Sequence, residues 1–197
     1  MTLHSAASCY PDNPTTAERQ LMTTWIDMFQ GTITCPSCRE HFEQAIRAYR
    51  NLYPSMMNSR RDFMLCTFRI HNSVNRRINK PIYPTVKACF EALRVNVKNR
   101  SAKEYRSAYL THIRKFWRTM QDVSGMTAIK KIAEMSKVEF EYLQTRENNF
   151  EKEFEEDNVI LHSRALDAAG AEPPPPIRID TRELPRFSLF GGRFSRR

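Results

Sequence analysis

Apolar residues recur at steps of three and four along most of this chain, with polar residues between them. This spacing is typical of amphipathic α-helices, in which one face packs against a core. The stripes predict helices carrying, in chain order, residues 3–9, Leu21 to Phe29, Cys38 to Tyr49, Phe63 to Ile78, Val86 to Leu93, Tyr105 to Met120 and Ile129 to Leu143. No alternating run of β-branched residues is long enough to predict a sheet, so the pattern indicates an all-α fold.

Capping signals set the expected boundaries of these helices. N-cap pairs of the Ser/Thr-x-x-acid type are Thr15 with Glu18, Ser59 with Asp62 and Ser101 with Glu104. A further helix is expected to begin at Cys35–Pro36, because proline suits the first helical position. Gly31 is predicted as the stop of the second helix and Gly125 as a break before the last one. Pro81 is predicted as the end of the fourth helix, and Pro84 as the start of the fifth.

Composition divides the chain of 197 residues into three predicted parts. Residues 1–97 hold all five cysteines and are expected to form the first domain. Residues 98–167 form a helical extension without a chemical motif, which we expect to shape a dimer contact or a substrate site. Residues 168–197 contain the run Pro173–Pro176 and many arginines, a composition typical of a disordered tail.

The net charge of +9 indicates a basic surface, and a solvated surface is favoured over nucleic-acid binding. Residues 1–10 hold no apolar segment of the signal-peptide type, and no stretch is long and apolar enough to predict a membrane span. These features predict a cytoplasmic protein, in a compartment where stable disulfides are uncommon. An odd number of cysteines leaves at least one unpaired or bonded to another chain.

Cys35 and Cys38 form a Cys-X-X-Cys pair at the predicted start of a helix. Unpaired N–H groups and the positive end of the helix dipole favour a thiolate there, which is what thiol–disulfide chemistry needs. The same spacing also suits half of a zinc site, with His41 as a possible third ligand. Spacing alone leaves the redox and metal interpretations open.

The fourth predicted helix contains the run from His71 to Asn75, with Lys80 just beyond its end. His71 and Asn75 lie one turn apart and therefore share a face. An imidazole and two amides, with Val74 beside them, suit a flat heteroaromatic ligand, and Lys80 or Arg76 suits its phosphate. A lone histidine on a helix is usually structural, but the combination with an upstream Cys-X-X-Cys is uncommon.

These motifs together resemble the Erv/ALR family of FAD-linked sulfhydryl oxidases. The matching positions are Leu3-His4, Ala7, Tyr10-Pro11, Pro14-Thr15, Cys35-X-X-Cys38-X-X-His41-Phe42, Arg60, Phe63, His71-Asn72-X-Val74-Asn75 and Lys80-Pro81. The resemblance covers roughly residues 3–90, and it is specific in combination although each piece alone is weak.

The resemblance implies a four- to five-helix bundle around FAD, usually a homodimer. It implies that electrons pass from protein dithiol substrates to the Cys-X-X-Cys disulfide, then to the flavin and to O2, giving hydrogen peroxide. Cys38 would be the sulfur next to the flavin, and Cys35 would form the mixed disulfide with substrate. The implied FAD-binding positions are His4, Tyr10, His41, His71, Asn72, Val74, Asn75, Ile78 and Lys80, with Tyr83 in place of the family's aromatic residue after Lys-Pro.

The chain departs from the family pattern at several positions. The tryptophan four residues before the first family histidine would fall before Met1, and Cys66 and Asn79 replace a tryptophan and a glycine. The second structural disulfide is missing, since its positions are Phe68 and Thr85. Cys66 and Cys89 either form a replacement disulfide or remain two buried thiols, and Cys9 is left over.

Neither end of the chain carries a second Cys-X-X-Cys or Cys-X-Cys, so we expect substrate thiols to react with Cys35 directly. An enzyme without a shuttle pair or targeting signal is similar to the family members that large DNA viruses encode, which act in the host cytosol.

Two other interpretations are ranked below the flavin oxidase. One is a zinc-bound helical interaction module that uses Cys35, Cys38 and His41 or His71. The other is a thioredoxin-like reductase, which requires strands that alternate with helices and is disfavoured by the helical pattern.

Overall fold

The computed structural model describes residues 1–148, apart from the side chains of residues 97 and 99. The described range contains no strand, which confirms the predicted all-α fold. Its elements are α1 (Thr2–Ser8), α2 (Thr16–Thr32), α3 (Pro36–Leu52), α4 (Arg60–Arg77), α5 (Val86–Asn99), α6 (Ala102–Trp117), α7 (Val123–Val138) and a π-helical turn (Glu139–Leu143). The predicted tail, residues 168–197, lies outside the described residues, as does the end of the extension.

The helix starts predicted from the three capping pairs and from Cys35–Pro36 are confirmed. Thr15 with Glu18 and Ser101 with Glu104 both form complete capping boxes, in which each side chain bonds the other residue's backbone N–H. The Ser59 hydroxyl accepts from the N–H of Asp62 at the start of α4. Each cap satisfies backbone donors that the first turn of a helix leaves unpaired.

Gly31, predicted as a helix stop, and Gly125, predicted as a break before the last helix, both lie inside helices. α2 continues through Gly31 to Thr32, and a Cβ at Gly31 would meet the side chain of Lys131 on α7. Gly31 therefore leaves room for the end of the Lys131 side chain. Gly125 lies in the first turn of α7, where its N–H donates to the carboxylate of Asp122 at 2.7 Å.

Two further boundaries differ from the prediction. The fifth helix begins at Val86 with Thr85 as its N-cap, rather than at Pro84. The last predicted helix changes to a π-helical turn after Val138, and the wider turn shifts the register of its faces. As a result Glu139 is buried, while Phe140, predicted to lie on the apolar stripe, is 73% exposed.

One hydrophobic core runs through all the described helices. α4 contributes most of its centre, with an unbroken buried run from Phe63 to Ile70. α1 packs between α4 and α6, and α2 packs against both α3 and α7. Ile113 and Trp117 of α6 and Ile132 of α7 are buried in the same core, and the described part of the extension packs directly on α1 and α2. None of the described helices combines the length and apolarity needed to cross a membrane.

A buried ion pair ties the extension to α1. Arg106 of α6 and Glu139 of the π-helical turn are 1% and 3% exposed, and Arg106 Nε donates to Glu139 Oε2 at 2.7 Å. The same guanidinium donates to the carbonyl and hydroxyl oxygens of Ser5 at 3.4 and 3.3 Å. It also donates to the Leu143 carbonyl at 3.4 Å. The pair therefore helps to hold α1 against α6.

We expect Arg106→Leu to lower the free energy of unfolding by roughly 3–5 kcal/mol, because it leaves the Glu139 carboxylate buried and uncompensated. Urea denaturation followed by circular dichroism measures this loss. The double variant Arg106→Met/Glu139→Leu, which removes both charges, should lose less than the single variant. A single variant within about 1 kcal/mol of the wild type would contradict this role.

Candidate functional site

The Cys35–Cys38 pair forms a disulfide at the N-terminus of α3, with a Cα–Cα distance of 5.2 Å. Cys35 is the exposed N-cap residue, Pro36 occupies the first helical position, and Cys38 is half-buried. Cys35 Sγ accepts from the N–H of Cys38 at 3.3 Å. Unpaired N–H groups and the helix dipole favour negative charge at this end of α3, so either sulfur is stabilised as a thiolate when the bond opens.

Cys38 lines an open pocket formed by α1, the end of α2, the start of α3 and the second half of α4. The pocket has a volume of about 330 Å³, within the range of small-molecule sites. Apolar and aromatic side chains form most of its wall, with imidazoles and one guanidinium among them. One sulfur of the disulfide thus faces a mostly apolar pocket, while the other lies at the surface.

A chain of hydrogen bonds joins α1 to α4 inside this pocket. His4 Nδ1 lies 2.9 Å from the Thr67 hydroxyl, and His4 Nε2 lies 3.0 Å from His71 Nδ1. The Thr67 hydroxyl donates its single proton to the Met64 carbonyl at 2.8 Å. Because that proton is used, His4 donates from Nδ1 and accepts at Nε2 from His71. This assignment leaves His71 Nε2 as a free acceptor.

The three histidines of the pocket are uncharged at neutral pH. Burial is the largest cause in each case, lowering the pKa of His4 well below its ordinary value and lowering the pKa of His41 and His71 as well. The nearby Arg77 guanidinium adds to the lowered pKa of His41. The pocket therefore presents neutral, flat, polar rings beside its apolar wall.

The two predicted amides bond to the backbone that follows α4. Asn72 donates from its amide to the Tyr83 carbonyl at 2.9 Å and accepts from the Tyr83 N–H at 3.0 Å. The Asn75 amide donates to the Pro81 carbonyl at 3.1 Å. The Tyr83 ring stands edge-on to His71, with centroids 5.5 Å apart. The amides thus hold the segment after α4 next to the pocket, and they do not form its wall.

The structure brings together only part of the predicted site. The predicted residues in the pocket wall are Cys38, His4, His41, His71, Val74 and Ile78, whereas Tyr10, Asn72, Asn75, Lys80 and Tyr83 are outside it. Tyr10 is fully buried, donates to the Met57 carbonyl at 2.8 Å and packs edge-on against Phe63. Lys80 is exposed beyond the end of α4. Contacts of these outer residues with a cofactor stay predictions.

Several wall residues were not predicted, among them Phe29, Phe42, Thr67, Ile70 and Arg77. Thr67, Ile70, Val74 and Arg77 follow one another at helical steps, so extending the face of His71 along α4 would have found them. The spacing of Phe29 and Phe42 fits a core-facing stripe as well as it fits a pocket wall, so it could not predict the pocket.

Arg77 is the wall residue with the clearest capacity for a ligand. Its Nε is buried and has no hydrogen-bond partner within residues 1–148. A buried donor without a partner is costly, and a bound anionic or polar group would remove that cost.

Metal ligation by the Cys-X-X-Cys pair is not favoured. Cys35 and Cys38 are bonded to each other, so their sulfurs are not thiolate ligands. The group of possible metal ligands found in the described residues is His4, His71 and Cys89, whose ligand atoms lie within 4.8 Å of one another, and it includes neither cysteine of the pair.

Cys9, Cys66 and Cys89 are buried free thiols, so Cys66 and Cys89 do not form the replacement disulfide considered above. Burial raises the pKa of Cys66 and raises that of Cys89 to about 12, which keeps both in the thiol form.

Fold and site together define a helical thiol–disulfide protein with an adjoining ligand pocket. A family model described as "Erv1 / Alr family" matches residues 1–95, and the chain belongs to this family. It is 37% identical over 95 residues to "Putative FAD-linked sulfhydryl oxidase 096R" of Invertebrate iridescent virus 3, covering 48% of this chain and 62% of that protein.

Two further relatives are also viral. "Putative FAD-linked sulfhydryl oxidase 347L" of Invertebrate iridescent virus 6 is 31% identical over 86 residues, covering 42% of this chain and 78% of the relative. "FAD-linked sulfhydryl oxidase" of African swine fever virus (isolate Tick/Malawi/Lil 20-1/1983) is 36% identical over 81 residues, covering 41% and 65%. The chain thus spans less than two thirds of the length of the iridescent virus 3 and swine fever virus relatives. No solved structure matches the chain.

The lowered histidine pKa values predict that the protein loses stability as the pH falls below about 6.5. Below that pH the unfolded chain binds protons that buried His4 does not, so the free energy of unfolding falls by up to about 1.4 kcal/mol per pH unit per histidine. Urea denaturation at a series of pH values measures the slope. His4→Gln should flatten it, whereas His112→Gln, at an exposed position on α6, should retain it. Equal slopes in all three proteins would contradict the assignment.

Proposed function

We propose that this chain is an FAD-dependent sulfhydryl oxidase that forms disulfides in protein substrates. Electrons pass from a substrate dithiol to the Cys35–Cys38 pair, then to FAD and to O2, which is reduced to hydrogen peroxide. One observation carries the proposal: a single disulfide has one sulfur at the surface, on Cys35, and the other in a pocket wall, on Cys38. The names of the relatives, which are FAD-linked sulfhydryl oxidases, support both the cofactor and the reaction.

The pocket residues fit a flavin. Phe29 and Phe42 offer apolar ring surfaces, the neutral imidazoles of His4, His41 and His71 offer hydrogen bonds to a heteroaromatic ring, and Val74 and Ile78 complete the wall. The partnerless Nε of Arg77 offers a charge-assisted donor. By resemblance to the family, Tyr10, Asn72, Asn75, Lys80 and Tyr83 would contribute to the rest of the cofactor site. Bound FAD would supply two-electron oxidation of the cysteine pair and the reaction with O2.

The chain's own residues perform the thiol–disulfide exchange. A substrate thiolate attacks Sγ of Cys35, the Cys35–Cys38 bond breaks, and Cys38 leaves as a thiolate at the helix N-terminus. The second substrate thiolate then attacks the substrate sulfur of the mixed disulfide and releases Cys35. The substrate loses two electrons and two protons, the cysteine pair gains the electrons, and the protons pass to solvent.

Direct reaction of substrate with Cys35 agrees with the other cysteines of the chain. Cys9, Cys66 and Cys89 are buried, so none of them is placed to relay a disulfide from the surface. Protein dithiols are therefore the proposed partners, with O2 as the electron acceptor, and we propose no role for nucleic acid.

We also infer a homodimer acting in a host cytoplasm or a virion. The family resemblance supports the dimer, and the exposed apolar side chains of Ile78, Ile82 and Val95 on and beside α4 and α5 offer a surface for it. The viral origin of several relatives supports the setting. Light scattering of the purified chain should give twice the monomer mass, and a monomer at micromolar concentration would contradict the inference.

Cys35→Ser should abolish oxygen consumption with a reduced protein substrate, because the surface sulfur that accepts the substrate is gone. The variant should still bind flavin, since Cys35 is outside the pocket wall. Cys9→Ser, which alters a buried thiol away from the route, serves as the control and should retain turnover. Turnover at the wild-type rate in Cys35→Ser would refute the proposed electron route.

Arg77→Met should weaken FAD binding by roughly tenfold or more, because it removes a charge-assisted hydrogen bond worth about 1.5–3 kcal/mol. Titration of flavin-free protein with FAD, followed by flavin fluorescence, gives the dissociation constant. Lys87→Met, at an exposed position on α5, removes the same charge elsewhere and should leave the constant unchanged. If both variants bind FAD equally well, Arg77 does not hold the cofactor.

A further inference from the structure

A second cleft, also of about 330 Å³, lies beside the first turn of α3. Gln30 and Gly31 of α2 and Arg39 of α3 form one side, and Trp117 of α6 with Lys131 of α7 forms the other. The family match ends at residue 95, so one whole side of this cleft belongs to the helices that follow the matched segment.

The cleft and the pocket share a boundary at the start of α3. On α3, Cys38 contributes to the pocket wall and the next residue, Arg39, to the cleft. On α2, Phe29 contributes to the pocket wall and the next residue, Gln30, to the cleft. Cys35 is exposed at the start of α3, and its carbonyl accepts from the N–H of the cleft residue Arg39 at 2.9 Å, so the two residues lie one turn apart.

We propose that this cleft binds the segment of a protein substrate that flanks its reactive cysteine, and that it selects segments with acidic side chains. The inference rests on the proposed function and adds a substrate class to it. It also gives α6 and α7 a direct part in substrate choice.

The charges in the cleft support an acidic occupant. Arg39 stacks over the Trp117 ring, with its guanidinium carbon 5.6 Å from the ring centroid, and Lys131 lies over Gly31. Neither cation forms an ion pair with a carboxylate within residues 1–148. A substrate carboxylate would supply the missing counter-charge for both.

Two carboxylates at the cleft have partners of their own: Glu43, which belongs to the cleft wall, and Asp122, next to the wall residue Val123. Glu43 lies 2.7 Å from Arg47 and accepts from Gln30 at 3.1 Å. Asp122, just before α7, accepts from the N–H of Gly125 at 2.7 Å. The positive charge of Arg39 and Lys131 is therefore left for a ligand.

The distance from Cys35 to Arg39 predicts the position of the acidic residue in the substrate sequence. Arg39 lies four residues after Cys35, about 6 Å along the helix axis. An extended peptide covers that length in about two residues. In a substrate bonded to Cys35, an acidic residue two to three positions from the bonded cysteine would thus reach Arg39. Lys131 lies further into the cleft and would be reached by a residue beyond it.

The test uses the full chain with bound FAD and two synthetic dithiol peptides of equal length and cysteine spacing. One peptide has glutamates at the second to fourth positions from its first cysteine, and the other has glutamines there. The measured quantity is the ratio of kcat/KM for the two peptides, from oxygen consumption at low salt. Dithiothreitol, a small dithiol without flanking residues, reports whether the protein oxidises thiols at all.

We expect the glutamate peptide to be oxidised at least about threefold more efficiently than the glutamine peptide, as two partly exposed ion pairs would give. The preference should shrink as salt screens the charges. Lys131→Glu should abolish or reverse the preference, and Lys131→Gln should reduce it. Lys130→Glu, at the adjacent exposed position of α7, should keep it.

The outcomes separate this inference from the proposed function. Oxidation of dithiothreitol with equal rates for the two peptides would overturn the inference and leave the function standing. A glutamate preference that Lys131→Glu leaves unchanged, or that Lys130→Glu changes equally, would place the acidic segment elsewhere and also overturn it. No oxidation of dithiothreitol by the flavin-loaded chain would overturn the function and the inference together.

Discussion

The carbonyl groups at the end of a helix lack partners within it, and the Thr32 carbonyl at the end of α2 accepts instead from the indole of Trp117 at 2.9 Å. The Thr32 hydroxyl lies 3.3 Å from the Tyr109 hydroxyl, and the Phe29 ring packs 5.1 Å from the Tyr109 ring. These contacts with α6 fix the turn from α2 into α3. That turn places Cys35 at the surface, so the disulfide is positioned by residues far along the chain.

The other side of the pocket depends on a short helix that tertiary contacts must hold. α1 has only seven residues, too few for a stable isolated helix. Its His4 bonds to Thr67 and His71 of α4, and the Ser5 carbonyl and hydroxyl accept from Arg106 of α6. The described helices of the extension thus support both walls of the pocket, and we infer that they serve the site as well as adding core.

The features predicted correctly from the sequence are those that depend on residues within one helical turn. The capping pair Thr15–Glu18 and the proline after Cys35 act within one turn, so they mark helix starts without tertiary information. Gly31 was misjudged because its role is the close approach of Lys131, a contact across 100 residues. Helical spacing alone places Arg77 on the face of His71, but the burial of its Nε without a partner within residues 1–148 depends on how α4 packs against its neighbours.

The central claim is that the disulfide links surface thiols to a flavin in the pocket. The most direct measurement is the visible absorption spectrum of the FAD-loaded protein before and after a dithiol is added without oxygen. The account predicts that the flavin absorbance bleaches, returns when oxygen is admitted, and persists without bleaching in Cys38→Ser, which lacks the sulfur in the pocket wall. Bleaching of Cys38→Ser at the wild-type rate, or a wild-type flavin spectrum unaffected by dithiol, would contradict it.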